Sequence, residues 1–476
     1  MAKPWVPVVL GRIFIPLLLL LALGIAPRPR VVDQTIKQIQ YAVSFGSNLA
    51  VAEDLSQVLD YFPGRADLHE LAGRYALKGG DAEMAIAHLL EADQQGELSS
   101  DGQIALGDAY KETGDLSQAV HAWKEAPGSL GLYQRLEKTH LLRGEYDAAA
   151  EDLKDALAFS PNDPQLYYRL GVLTAVTAPE EASTYLKEAT QRDPSLAAKL
   201  QPLNDGLSLG LVKGDPAYAY LLAGRGVASL DRWDLAAEAF LRAVKMRPDY
   251  AEAWAFLSEA RQHLSEQPVS LSREGLKELQ TALLLDSDSV VVNIFAALYW
   301  QRRGDYDQAL EYLQDASSLE PDSPELLAEI ANTYATMGDL PTALDYYRKA
   351  IDIDPKDPMY WRILGEFSLY YQAQIREVGL PAIRQALILG PDDPANLDSM
   401  GYAFFLLEDY SNAERFLLRA LSLDPGYASA RLHLGMNYLM GGEVSSAREQ
   451  LTLAKTLSPD GNVGERAQRL LARYFP

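Results

Sequence analysis

A pattern of about thirty-four residues returns along almost the whole chain, and it restricts the fold to repeated units that must stack on one another. In one copy its positions are Leu106, Gly107, Tyr110, Gly114, Asp115, Ala119, Trp123 and Ala126. The same spacing gives Ala296, Ala297, Trp300, Gly304, Asp305, Ala309, Leu313, Ala316 and Pro321, then Ile330, Ala331, Tyr334, Gly338, Asp339, Ala343, Tyr347, Ala350 and Pro355. It returns as Met400, Gly401, Phe404, Glu408, Asp409, Ala413, Leu417, Ala420 and Pro425, and as Leu434, Gly435, Tyr438, Gly442, Glu443, Ala447, Leu451, Ala454 and Pro459.

Each position has a physical reason. Apolar residues three and four apart in two stretches per unit predict two short helices. Between them, Gly-Asp or Gly-Glu supplies a residue tolerant of the left-handed conformation and then an acid where the next helix begins. The small residues fall where the paired helices touch, because only Gly or Ala lets two axes approach to about 8 Å. Proline ends the second helix, and Asp163-Pro164, Ser323-Pro324, Asp357-Pro358 and Asp393-Pro394 each read as a cap followed by a first helical residue.

With these motifs the chain resembles the tetratricopeptide repeat family over residues 34–460, in about twelve units. The resemblance implies an all-α fold, an α-solenoid wound as a right-handed superhelix of helix pairs, preceded here by one hydrophobic N-terminal helix. Weaker copies align on Ala149, Leu153, Ala156 and Pro161, on Gly171, Leu186, Ala189 and Pro194, and on Gly224, Ala236, Phe240, Ala243 and Pro248. Glu137 stands where a small residue belongs. Extra residues at 265–272 and 371–379 lengthen two interhelical turns, and some twenty extra residues at 195–216 mark a joint between two blocks. The expected organisation is a signal-anchor segment at 1–30, repeat blocks at 31–194 and 217–460 flanking the 195–216 joint, and a capping helix at 461–476. Arg466, Arg469 and Arg473 give that cap a polar outer face.

The N-terminal segment runs IFIPLLLLLALGIA from Ile13 to Ala26 without a charge. With Val6 to Leu10 before it, the stretch reaches the roughly twenty residues that span a bilayer. Pro27 sits where a signal peptide would be cut, so the expectation is an uncleaved anchor, a single-pass membrane protein with its repeats outside the cytoplasm.

Composition then removes whole classes of chemistry. A formal charge of -23, from 66 acidic and 43 basic residues, repels phosphate backbones, so nucleic acid is not an expected partner. There is no cysteine, hence no disulfide, thiolate zinc site or cysteine nucleophile. His69, His88, His121, His140, His263 and His433 are dispersed without metal-ligand spacing, and no phosphate loop or hydrolase elbow occurs. The sequence therefore predicts no catalytic residue, cofactor, metal or small-molecule substrate, and the chain is read as no enzyme.

The resemblance places a partner groove along the first helices. In the C-terminal block its lining would be Ile294, Leu298, Asn332, Arg362, Glu366, Tyr370, Asp398, Tyr402, Phe405, Leu432, Met436 and Met440. This mixture of aromatic, methionine and charged side chains suits a peptide or helix. The recurrent Lys and Asn with which some family members grip a chaperone's C-terminal carboxylate are not seen. The expected function is a non-catalytic scaffold that binds a protein or peptide at a membrane surface. The alternative is a non-catalytic subunit of a membrane enzyme that assembles envelope polysaccharide or lipid.

Overall fold

The computed structural model describes residues 34–475 apart from 36, 40, 42–46, 97, 266–272 and 460. The hydrophobic N-terminal segment and most of the 265–272 insertion lie outside the described residues. Among the described residues every regular element is helical and none is a strand. The chain divides into two compact units, Met1–Ala239 and Phe240–Pro476.

The first unit holds α1 (Asn48–Leu59), α2 (Ala66–Lys78), α3 (Ala82–Gln94), α4 (Ser100–Glu112), α5 (Leu116–Glu125), α6 (Leu130–Leu142) and α7 (Tyr146–Phe159). It continues with α8 (Pro164–Thr177), α9 (Pro179–Arg192), α10 (Leu196–Lys213) and α11 (Pro216–Ala228), and the boundary between the units falls inside α12 (Trp233–Met246). The second unit contains α13 (Ala251–His263), α14 (Leu276–Leu285), α15 (Val290–Gln301), α16 (Tyr306–Leu319), α17 (Pro324–Met337), α18 (Leu340–Ile353) and α19 (Pro358–Tyr370). After a π-helical turn at Ile375–Gly379 come α20 (Leu380–Leu389), α21 (Pro394–Leu406), α22 (Tyr410–Leu423), α23 (Ala428–Gly441), α24 (Val444–Leu457) and α25 (Asn462–Tyr474).

Helices pack as hairpins, α2 on α3, α17 on α18 and α23 on α24 among them, and within each unit hairpins such as α21–α22 and α23–α24 pack on one another. The small residues behave as their positions require. A Cβ on Gly401 would stand 2.6 Å from Leu417 Cγ, and one on Gly435 would stand 2.8 Å from Leu451 Cγ. Both leucines are fully buried, so the second helix fills the space that glycine vacates.

The turns are likewise local chemistry. Gly338 closes α17 at φ +88, and Asp339 then accepts the Thr342 N–H at 3.2 Å to cap α18. Glu408 takes the glycine's place at φ +64, and Asp409 still caps α22 through Asn412 N–H. Glu145 and Glu443, one methylene longer than aspartate, make no side-chain cap bond. The Asp-Pro starts work as expected, with Asp357 accepting from Met359 N–H at 2.7 Å and Asp393 from Ala395 N–H at 2.8 Å.

Glu137 is buried where neighbouring units carry a small residue, and its carboxylate accepts from Arg169 Nε at 3.0 Å one repeat further on. The LNDGLSLGLVKGDP stretch runs through the second half of α10 and the Gly214-Asp215 turn to the first residue of α11, on which α10 packs. Gly210 and Gly226 bring the two close, since a Cβ on either would lie within 2.8 Å of the facing backbone.

The single-pass membrane placement is corrected here. Among the described residues no helix is long and apolar enough to cross a membrane. Even α10, at 18 residues, turns Leu200, Leu203 and Leu207 into the fold and carries Lys199, Asp205 and Lys213. The repeat's apolar stripes are narrow and face neighbouring helices rather than lipid.

Candidate functional site

Within the second unit, helices α19, α21, α23 and α25 surround a cavity of about 600 Å3. α19 supplies Arg362, Glu366 and Tyr370, four residues apart and therefore on one helical face. α21 supplies Asp398 and Tyr402 by the same rule, together with Ser399. Ser429 and His433 come from α23, Tyr427 from the residue capping it, and Arg466 from α25.

Nearly all the charge in this lining is internally compensated. Asp398 is 4% exposed; one of its oxygens meets His433 Nδ1 at 2.8 Å and the other accepts the Ser429 hydroxyl at 2.7 Å. With Asp398 ionised, His433 is the donor in that contact, which fixes Nδ1 as its protonated nitrogen. Glu366 Oε1 accepts from Arg362 at 3.1 Å and from the Ser399 hydroxyl at 2.7 Å. Burial opposes the Arg362 charge, but Glu366 and Asp393 outweigh it and hold its pKa above the ordinary arginine value. Burial, reinforced by Asp398 and Glu366, pushes the Tyr427 hydroxyl up to about 12.

Aromatic rings form one wall. Tyr402 lies flat on the His433 imidazole, ring centres 4.1 Å apart and planes 9° apart, and stacks on Phe405 at 6.0 Å. Arg466 approaches the same tyrosine, with its Nη2 3.5 Å from the hydroxyl and its guanidinium 5.9 Å from the ring centre. Tyr370 stands at the rim, 79% exposed.

Five of the residues read from sequence, Arg362, Glu366, Tyr370, Asp398 and Tyr402, thus share one cavity, and Phe405 backs its aromatic wall. The others lie elsewhere. Leu432 is buried with Leu451, Ala454 and Ala467, and Met436 packs on that cluster. Leu432 and His433 are adjacent on α23, so their side chains point about 100° apart and only the histidine lines the cavity. Met440 is exposed, Ile294 and Leu298 are half-buried on α15, and Asn332 on α17 is held by the Tyr347 hydroxyl and Glu329.

Sequence reasoning passed over Ser399, Tyr427, Ser429, His433 and Arg466. Four of them carried a readable signal. Polar partners on successive first helices stand about one repeat apart: Glu366 and Ser399 by 33 residues, Asp398 and Ser429 by 31, Asp398 and His433 by 35. Tyr427 precedes α23 by the same offset with which Asp393 precedes α21. Arg466 belongs to no repeat position and had no such signal.

Histidines also meet in the first unit. His69 on α2 and His88 on α3 face each other with Nδ1 atoms 3.1 Å apart, His69 Nε2 reaches the Pro63 carbonyl, and His88 Nε2 reaches the Ser56 hydroxyl. The Pro63 carbonyl can only accept, so His69 Nε2 is the donor in that contact. Burial and then His69 hold His88 below its ordinary pKa of 6.5. Among the described residues, no three His, Asp or Glu side chains cluster in a way that could hold a metal ion.

Comparison with known proteins gives matches to models described as tetratricopeptide repeat at residues 302–366, 221–266 and 399–462, and as TPR repeat at 139–175. No curated protein matches the sequence. Similar solved structures include the APC/C hetero-tetramer Cut9-Hcn1, at 16% identity over 94% of this chain and 96% of that one, with a TM-score of 0.43. YrrB, described as a TPR protein with an unusual peptide-binding site, is 19% identical over 40% of this chain and 97% of its own, with a TM-score of 0.28. A thermophilic TPR protein of Thermus thermophilus, TTC0263, is 25% identical over 39% of this chain and all of its own, with a TM-score of 0.34.

Proposed function

Because the chain is a tetratricopeptide repeat protein, we propose that it is a non-catalytic interaction scaffold whose second unit binds a peptide segment of a protein partner in the cavity between α19, α21, α23 and α25. The observation that carries this reading is the lining itself, a flat aromatic wall beside fixed polar groups in a concave space of about 600 Å3. That combination suits recognition, since rigid rings give contact area at low entropic cost and the polar groups set orientation.

The polar groups are arranged for holding rather than for chemistry. Ser429 gives its proton to Asp398 and not to the imidazole, so the serine lacks the base contact that acyl transfer requires. Asp398 and Glu366 each accept from two neighbouring groups, which fixes the orientation of their carboxylates.

Replacing Tyr402 and Phe405 together by alanine removes the wall. Proteins that co-purify with the intact chain are then lost while helix content by circular dichroism is unchanged, and Ile388→Ala, at an exposed site outside the lining, has no effect. Retention of every co-purified protein by the double variant would refute the reading.

A further inference from the structure

We infer that the C-terminal helix is part of the binding site, through Arg466, and that the cavity selects an acidic side chain on the partner's peptide. The inference rests on the cavity being a peptide site, as proposed above, and adds which chemistry it prefers.

A charge inventory of the lining leads to it. Arg362 is matched by Glu366, and Asp398 is held by His433 and Ser429. Arg466 has no carboxylate among the described residues; its one hydrogen-bond contact is the marginal 3.5 Å approach to the Tyr402 hydroxyl. A guanidinium carries five donors in a planar fork, so most of its capacity faces the cavity unused. On the same helix Arg469 is paired with Glu465 and well exposed, as an ordinary surface arginine is. Arg466 differs because α25 folds back across α23 and α24 and lays that one position against Tyr402, 64 residues earlier.

The chain's overall charge of -23 opposes an acidic ligand at long range. That opposition is screened beyond about 8 Å at physiological salt. A carboxylate seated on a half-buried guanidinium beside an aromatic ring lies inside that distance, and its bidentate, charge-assisted hydrogen bonds decide the preference. The flat ring of Tyr402 next to the cation adds a place for an apolar or aromatic neighbour of the acid. The occupant is therefore a short segment with Asp or Glu beside a ring or large apolar side chain.

The test uses the full chain and a pool of heptapeptides, acetylated and amidated so that no terminal charge competes, with every residue type at the central position. The native protein is expected to enrich central Asp and Glu. Arg466→Gln lowers retention of those peptides about tenfold, the usual effect of losing one charge-assisted contact. Arg466→Glu turns the preference to Lys and Arg, and Arg469→Glu changes nothing. Enrichment of basic peptides by the native chain, or the same selection in native and Arg466→Glu protein, overturns the inference while leaving a peptide site in place. Binding of no peptide by the native chain overturns both.

Discussion

Each unit buries an imidazole against a carboxylate, and the two pairs do different things. In the first unit His140, on α6, meets Asp152, on α7, at 2.5 Å, and the residues are 3% and 6% exposed. In the second, His433 meets Asp398 at 2.8 Å, nearly as deeply buried, yet both border the cavity. The first pair joins the two helices of one hairpin and is enclosed by them. The second joins first helices of successive repeats, where concave space lies alongside. A buried acid–base pair is thus no signal of a site by itself; what matters is whether the helices that carry it also bound a space.

The contrast is tested most severely by removing each imidazole. His140→Leu leaves Asp152 buried without its partner and is expected to destabilise by about 3–5 kcal/mol. His433→Leu leaves Asp398 its Ser429 hydrogen bond and a neighbouring cavity that water can enter, so the loss is about 1–3 kcal/mol. Urea unfolding of both variants measures the difference, and equal losses would erase the distinction between enclosed and open pairs.

Turn chemistry should be common to the two units and so sharpen the comparison from the other side. Asp115→Ala and Asp339→Ala each remove a side-chain cap and are expected to cost about 1 kcal/mol whichever unit they lie in. Glu145→Ala and Glu443→Ala remove no cap bond and should stay within about 0.5 kcal/mol of the parent by the same measurement.

The smallest effect is a difference in acid sensitivity. His88 has a pKa below its unfolded value, so the folded chain binds fewer protons and the stability this group contributes is lost as pH falls from 6.5 through the lowered value. Amide exchange protection in α2 and α3 should decline over that window, and His88→Asn should flatten the decline. A profile that is unchanged in the variant would remove the histidine pair as its cause.

Much of this molecule follows from position along the chain. The thirty-four-residue step, the Gly-Asp turns, the Asp-Pro starts and the glycines beneath Leu417 and Leu451 are consequences of helical period and backbone sterics, which act over a few residues. The same regularity placed Arg362, Glu366, Tyr370, Asp398 and Tyr402 on neighbouring first helices, because in a stack the repeat length turns sequence separation into spatial contact. Leu432 lies one helical step from the cavity residue His433 and packs instead with Leu451 and Ala467, since the pattern fixes a helix's axis better than its rotation.

What only the tertiary structure decided lies where the repetition stops. The sequence marks α25 as an amphipathic helix with arginines on its polar side and gives no reason to separate Arg466 from Arg469. Folding back over the last hairpin separates them, one onto Tyr402 and the other into solvent beside Glu465. Local propensity and spacing write the unit and its neighbours, whereas α25 stands outside the repeat spacing, and its place is chosen by packing against the hairpin before it.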